Sequence, residues 1–279
     1  MIILAGALRC ASGGKRVQYQ GKRVVVKVGT STLAHPSGRA NIREMERLIA
    51  VLADMMNQGI QVILVTSGAI GIGVGKLGLK EKPKDTPGKQ AAATVGQCEL
   101  MYMYDKMFSE YGHKVGQLLI TKQDVEDAER HKNLCATFET LLKWNVIPII
   151  NENDAVAVEE IVYGDNDSLS AIVAGLVCAH SLIILTDIDG LYNANPKTHP
   201  EAVRIPVVET ITDDIRRLAK GPGSSLGTGG METKVRAADI ATAAGVETYV
   251  INGTPPGNIH RLLDGEDIGT HFKAVHHHA

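Results

Sequence analysis

The sequence predicts an α/β fold, a three-layer αβα sandwich built on a mainly parallel central sheet. Three observations predict it. Short aliphatic runs recur along the chain, among them Val24–Val26, Val62–Val65, Ile147–Ile150 and Leu182–Leu185. Runs of this length closed by Gly, Thr, Ser, Asn or Asp read as strands buried on both faces. Between them lie longer stretches with apolar residues at helical spacing, and strand–helix–strand order implies parallel pairing through right-handed crossovers. Finally, 279 residues at 44 % hydrophobic and 22 % charged content suit one continuous α/β unit with no internal repeat or linker.

Composition also excludes classes of function. The net charge of −2 gives no reason to expect nucleic acid as a partner. No run of 18 apolar residues occurs, so no membrane span is expected. Cys10, Cys98, Cys135 and Cys178 form no C-x-x-C and no zinc spacing. They read as buried thiols in a reducing, cytoplasmic compartment. Residues 1–22 read as a poorly ordered extension, because the apolar Met1–Leu8 lacks a basic flank and is too short for a signal peptide. Residues 273–279 contain His276–His278 and read as a tag remnant.

Taken in order, Arg23–Lys27 is the first strand, and Gly29-Thr30-Ser31 closes it. Lys27 lies at its carboxyl end, where open α/β sheets bind ligands. A lysine there either meets an anion or snorkels to the surface at a sheet edge. Asn41 can cap a helix that carries Ile42, Met45, Leu48, Ile49, Leu52, Met55 and Met56, and Gly59 ends it. Gln61–Thr66 is the second strand. The turn Ser67-Gly68-Ala69-Ile70-Gly71 then leads into a helix, where unpaired N–H groups suit a carboxylate or phosphate. Its alternative is close packing of strand on helix. Gly73 to Gly78 matches G-x-G-x-x-G literally, but the match starts beyond the strand-to-helix turn and no acidic strand end follows it. A dinucleotide reading is rejected, and no P-loop pattern occurs.

Pro87–Gly112 reads as one long helix whose Met and Tyr stripe is core or subunit contact. Val115–Thr121 is the third strand, His131–Trp144 a helix, and Val146–Ile150 a fourth strand whose Pro148 suggests an irregular or edge position. That strand ends in Asn151-Glu152-Asn153-Asp154, a site cluster or a solvated turn. Gly164-Asp165-Asn166-Asp167-Ser168 opens an apolar helix; capping explains one of its carboxylates but hardly both with the asparagine. Ser181–Leu185 is the fifth strand, ending in Thr186-Asp187, which faces a ribose or metal or merely starts a turn. Gly221–Met231 is the most glycine-rich stretch, and it runs into a helix carrying Lys234. That pattern suits polyphosphate, or is a surface loop before an ordinary helix. Val246–Ile251 is the last clear strand, and Asn258–Leu263 a short final helix.

Two lysines, two carboxylate clusters and a glycine turn suit phosphoryl transfer, which needs positioning and charge stabilisation more than covalent chemistry. The motifs Val-Lys27-Val-Gly-Thr-Ser, Val-Thr-Ser67-Gly-Ala-Ile, Ile-Asn-Glu-Asn-Asp154-Ala-Val, Gly-Asp165-Asn166-Asp167-Ser-Leu-Ser-Ala, Leu-Thr186-Asp187, Gly-Leu-Tyr and Gly-Thr228-Gly-Gly-Met-Glu-Thr-Lys234 run in order over about residues 23–272. The ordered set resembles the amino acid kinase family, and within it the members that phosphorylate the γ-carboxylate of L-glutamate.

The resemblance implies ATP as phosphoryl donor with Mg2+ on its phosphates, and the first step of proline biosynthesis with proline as feedback inhibitor. It implies a cytoplasmic homo-oligomer, dimer or tetramer, and no protein ligand to the metal. It divides the domain into an N-terminal glutamate lobe, about 23–178, and a C-terminal nucleotide lobe, about 179–272. Ser67, Gly68, Asp154 and Asn166 would hold glutamate. Thr186, Asp187 and the run Thr228, Gly229, Gly230, Met231, Glu232, Thr233, Lys234 would line the nucleotide together with Lys27. Lys27 and Lys234 would stabilise the moving phosphoryl group, with Asp167 and Asp165 organising them. Many bacterial members carry a C-terminal PUA domain, which this sequence is expected to lack.

Overall fold

The computed structural model describes residues 22–35, 37–156, 165–196, 198–220 and 230–275. Residues 1–21 of the extension, residues 276–279 of the expected tag remnant and the predicted site residues Thr228 and Gly229 lie outside the described residues. The remnant's start is corrected: Lys273 and Val275 bond through their N–H groups to the Val208 and Thr242 carbonyls, and Ala274 is buried, so residues 273–275 belong to the fold. The fold class is the predicted one: α/β with a mainly parallel sheet. The described chain forms two compact units, residues 28–166 and residues 22–27 with 167–275. The division falls at Asn166–Asp167, and the first strand belongs to the second unit.

The first unit contains α1 (Thr30–Leu33), α2 (Ile42–Asn57), β2 (Gln61–Val65), α3 (Ala69–Leu77), α4 (Thr86–Ser109), β3 (Lys114–Ile120), α5 (Lys122–Glu126), α6 (Ala128–Lys143) and β4 (Val146–Glu152). Its strands run parallel in the order β3-β4-β2. Asn41 caps α2 by accepting from the Glu44 N–H, and Met45, Leu48, Ile49, Leu52, Met55 and Met56 are buried along one stripe. Gly59 follows at φ 81°, a left-handed position where a side chain would be strained.

Pro148 corrects an expectation. Its strand, β4, is internal, paired to β3 on one side and β2 on the other. The register explains why this is tolerated. β2 joins β4 only at Leu64↔Ile149 and Val65↔Ile150, just beyond the residue that lacks an N–H.

The second unit contains β1 (Arg23–Lys27), α7 (opening at Asn166, the last residue of the first unit, and ending at Leu176), β5 (Ser181–Thr186), β6 (Val207–Val208), α8 (Asp213–Lys220), α9 (Met231–Ala243), β7 (Glu247–Asn252), α10 (Asn258–Leu263) and β8 (Gly269–Phe272). Strand order is β1-β5-β7-β8-β6, and only the β7–β8 pairing is antiparallel. Val24, Val25 and Val26 are fully buried, in register with Ser181, Leu182 and Ile183, as two-sided strands require. Strand β8 was not predicted, because Gly-Thr-His-Phe offers no apolar run. It forms by pairing to β7, with Phe272 as its buried anchor.

The cysteines correct a second expectation. Cys98 and Cys178 are free thiols on the exposed surface, not in the core. Cys98 lies on the outer face of α4, and Cys178 sits just past α7 at φ 47°. Cys135 is buried as predicted, but it is disulfide-bonded rather than a free thiol, so it too departs from the expectation. Among the described residues, no helix is long and apolar enough to cross a membrane.

Candidate active site

Lys27 ends β1, Asp167 lies in the first turn of α7, and Lys234 lies in the first turn of α9. The second unit brings all three together. The Lys27 ammonium is 2.7 Å from Asp167 Oδ1, and the Lys234 ammonium is 3.2 Å from Asp167 Oδ2. The Thr233 hydroxyl donates to the same Oδ2 at 2.6 Å, and it also lies 2.7 Å from the Gly230 carbonyl. Asp167 is fully buried, with Lys27 at 7 % and Lys234 at 4 % exposure. Snorkelling is therefore ruled out for Lys27. Two ammonium groups share one carboxylate in a dry place, where each needs a partner.

Burial acts to raise the Asp167 carboxyl. The two lysines, with hydrogen bonds from Lys27 and Thr233, overcome it and hold the group below its ordinary range. The N-terminal turn of α7 adds its own preference for a negative charge. Asp167 is thus an anion that holds two cations in place. Two ammonium groups held in this way suit the spread negative charge of a transferring phosphoryl group.

Other predicted residues of this unit stand as follows. Thr186 ends β5, and its hydroxyl donates to Asp187 Oδ1 at 3.1 Å, with Asp187 exposed. Gly230 is the N-cap of α9, and Met231 and Glu232 begin that helix. Glu232 is exposed and turns its carboxylate toward Lys220, 3.7 Å away. Thr233 was expected only beside the nucleotide. Its bond to Asp167 is legible solely in three dimensions, since the two lie 66 residues apart in sequence.

The first unit holds a cavity of about 640 Å³. Gly68, Asp154, Asp165 and Asn166 line it, with Thr30 and Lys82 among the residues not foreseen. Gly68 takes φ 88° as the N-cap of α3, so the chain turns sharply and the first residues of that helix, Ala69 to Gly71, border the cavity. Such N–H groups favour a carboxylate. Ser67 stands behind the turn, donating to the Val28 carbonyl at 3.0 Å and lying 3.3 Å from the Thr30 hydroxyl. Burial raises the Asp154 carboxyl above its ordinary value, against the opposing charge of Lys82. The literal G-x-G-x-x-G has a packing explanation. A Cβ on Gly73 would lie 1.8 Å from the Ala92 carbonyl, so the glycine exists to let α3 and α4 touch. Among the described residues, no group of three or more His, Cys, Asp or Glu is placed to hold a metal ion.

A mainly parallel α/β fold, a carboxylate clamped between two buried lysines, and a glycine turn beside an acidic cavity define a phosphotransferase. The chain belongs to the amino acid kinase family, whose model matches residues 22–252. It is similar to the glutamate 5-kinase of Moorella thermoacetica, 54 % identical over 260 residues, covering 93 % of this chain and 69 % of that protein. It is also similar to the glutamate 5-kinase of Clostridium acetobutylicum, 53 % identical over 250 residues, covering 90 % of this chain and 94 % of that protein. Among solved structures, carbamate kinase from Giardia lamblia bound to AMP-PNP shares the fold. Its TM-score is 0.66 at 16 % identity, with 92 % of this chain and 100 % of that one covered. UMP kinase from Bacillus anthracis does so at a TM-score of 0.63 and 17 % identity, covering 90 % and 96 %.

Proposed function

We propose that this protein transfers the γ-phosphoryl group of MgATP to the side-chain carboxylate of L-glutamate, yielding L-glutamyl 5-phosphate and ADP as the first step of proline biosynthesis. The observation that carries the reading is the 54 % identity to a glutamate 5-kinase over 93 % of the chain. The clamped lysine pair supplies the chemistry that such a reaction needs. A carboxylate oxygen of glutamate attacks the γ-phosphorus, and the bond to the β–γ bridging oxygen breaks. The acceptor is already an anion, so no general base is required. Lys27 and Lys234 offset the charge on the moving group, and Asp167 keeps them in register. Asp165 acts near the acceptor, where it lines the cavity.

Magnesium arrives with the nucleotide as part of the substrate. Thr186, Asp187 and residues 228–234 receive that nucleotide. Asp154 and Asn166 take the α-ammonium, and the Ser67–Gly68 turn takes a carboxylate. In this reading the protein works in the cytoplasm as a homo-oligomer, with proline as its feedback inhibitor.

An ADP-release assay with glutamate, N-acetylglutamate, aspartate and uridylate as acceptors tests the reading. Glutamate-dependent release is expected. Turnover on another acceptor but not on glutamate overturns it.

A pH dependence follows from Asp154. Its folded pKa lies above the ordinary 3.8, so the carboxylate is protonated at a higher pH than a free one. The sign is that the KM for glutamate rises as the pH falls from about 7 toward that raised value, whereas the KM for ATP stays level. Asp154→Asn should show a high glutamate KM with no such slope. A glutamate KM unchanged across the acid range in the wild type would remove Asp154 from ammonium binding.

A further inference from the structure

At the acceptor cavity, which Asn151 and Asn166 both line, the first unit holds a series of hydrogen-bonded amides. Asn166 Nδ2 donates to the Thr66 carbonyl at 2.7 Å and to Asn151 Oδ1 at 2.9 Å. Both of its N–H groups are thereby used. Asn151 Oδ1 also accepts from the Glu152 N–H at 3.0 Å, and Asn151 Nδ2 donates to Gln97 Oε1 at 2.9 Å. Thr66, which supplies the carbonyl, is pinned through its hydroxyl, 2.7 Å from that of the fully buried Tyr104. Gln97 is 8 % exposed, and its own Nε2 is buried with no partner.

We propose that Gln97 is a positioning residue, which sets the polarity of two amides in series so that Asn166 offers its carbonyl oxygen to the acceptor cavity. The physical reason lies in the donor and acceptor inventory of an amide. The Glu152 N–H and Gln97 Oε1 act on opposite ends of the Asn151 amide and favour the same sense. Gln97 Oε1 is an acceptor, so it pulls Nδ2 to its own side and leaves Oδ1 for Asn166. Asn166 must then turn Nδ2 inward, and Oδ1 is the polar atom left to offer the cavity that the residue lines.

Without Gln97 Oε1, Asn151 Nδ2 becomes a buried donor without its acceptor, and the Glu152 N–H and the Thr66 carbonyl must oppose a turn of the two amides without that third partner. An amide oxygen in the cavity that the Asp154 carboxylate also lines favours an ammonium group. The acceptor is therefore chosen partly by a residue that does not touch it. The unpartnered Nε2 fits this reading. An apolar side chain would leave no buried donor unpaired, but it could not hold Asn151 in this sense.

The proposal rests on the amino-acid acceptor reading. Its test compares glutamate with glutarate, which keeps both carboxylates and lacks the amine, in the wild type, Gln97→Met and Gln97→Glu. Methionine keeps the volume and removes the acceptor, whereas glutamate keeps an oxygen in place. Gln97→Met should narrow the glutamate-over-glutarate ratio of kcat/KM about tenfold, with the ATP KM within about twofold of wild type. Gln97→Glu should restore most of that ratio.

An unchanged ratio in Gln97→Met overturns the proposal. So does an equal loss on both acceptors and on ATP, which marks a purely structural role. If the wild type turns over a different amine-bearing acceptor, the glutamate reading fails. The relay is then tested in the same way with that acceptor and its desamino analogue. A wild type indifferent to the amine sinks both.

Discussion

Asp167→Asn is expected to lower turnover by about a thousandfold and to destabilise the fold by about 3 kcal/mol. Both losses have one cause. The substitution removes the carboxylate charge that holds Lys27 at 2.7 Å and Lys234 at 3.2 Å. Two ammonium groups then remain buried against each other. Lys234→Met should behave differently. It takes one cation from the phosphoryl group, so kcat falls by about a hundredfold or more, while Asp167 keeps Lys27 and Thr233 as partners and the melting temperature changes little.

Steady-state kinetics and thermal melts on the two variants separate the roles. Near-normal turnover in Lys234→Met would take that lysine out of the mechanism, and a fully stable Asp167→Asn would deny the clamp. Linkage gives a further check. The Asp167 pKa is depressed in the folded state, so its contribution is present above about pH 3.9 and is lost as the pH falls through the lower folded value. In the wild type that loss appears at the acid edge of the stability curve, and Asp167→Asn should lack it.

Gly96→Ala is expected to destabilise the first unit by about 3 kcal/mol or more, and Gly73→Ala by a similar amount. A Cβ on Gly96 would lie 1.7 Å from the Ala69 carbonyl, and one on Gly73 would lie 1.8 Å from that of Ala92. Each collision is with backbone, so no rotamer change relieves it; α3 and α4 would have to separate. The effect reaches the site, because Ala69 begins α3 and borders the acceptor cavity. Partly folded protein should bind glutamate more weakly as well as melt earlier. Gly257→Ala is the control. Its φ is −58° and nothing lies within 4 Å of the new Cβ, so stability should hold or rise by up to about 1 kcal/mol. Denaturant titrations that rank the three alike would contradict the packing account.

Much of this protein was legible in its residues. The apolar runs and helical stripes identify α/β architecture because a strand buried on both faces and a helix buried on one have different periods. The order of the motifs points to phosphoryl transfer because a kinase needs cations and a carboxylate with small residues between them. Lys27, Asp167 and Lys234 could all be named from the chain. Thr233 could be named only as a neighbour of the lysine, and Gln97 not at all, since a glutamine in a helix carries no mark of what it will touch.

The remainder depended on neighbours that only folding supplies. Pro148 looked like an edge residue because a missing N–H is a local property, whereas tolerance of it depends on where β2 joins the ladder. Cys98 looked buried because its helix is apolar, but the side of α4 that faces outward is set by what packs on the other side. Lys27 was open to two readings until Asp167 lay beside it. Strand ends, helix periods and charge inventory follow from short stretches of chain. The polarity of a buried amide and the pairing of a lysine follow from contacts between residues distant in sequence, whose energies exist only once water has been excluded.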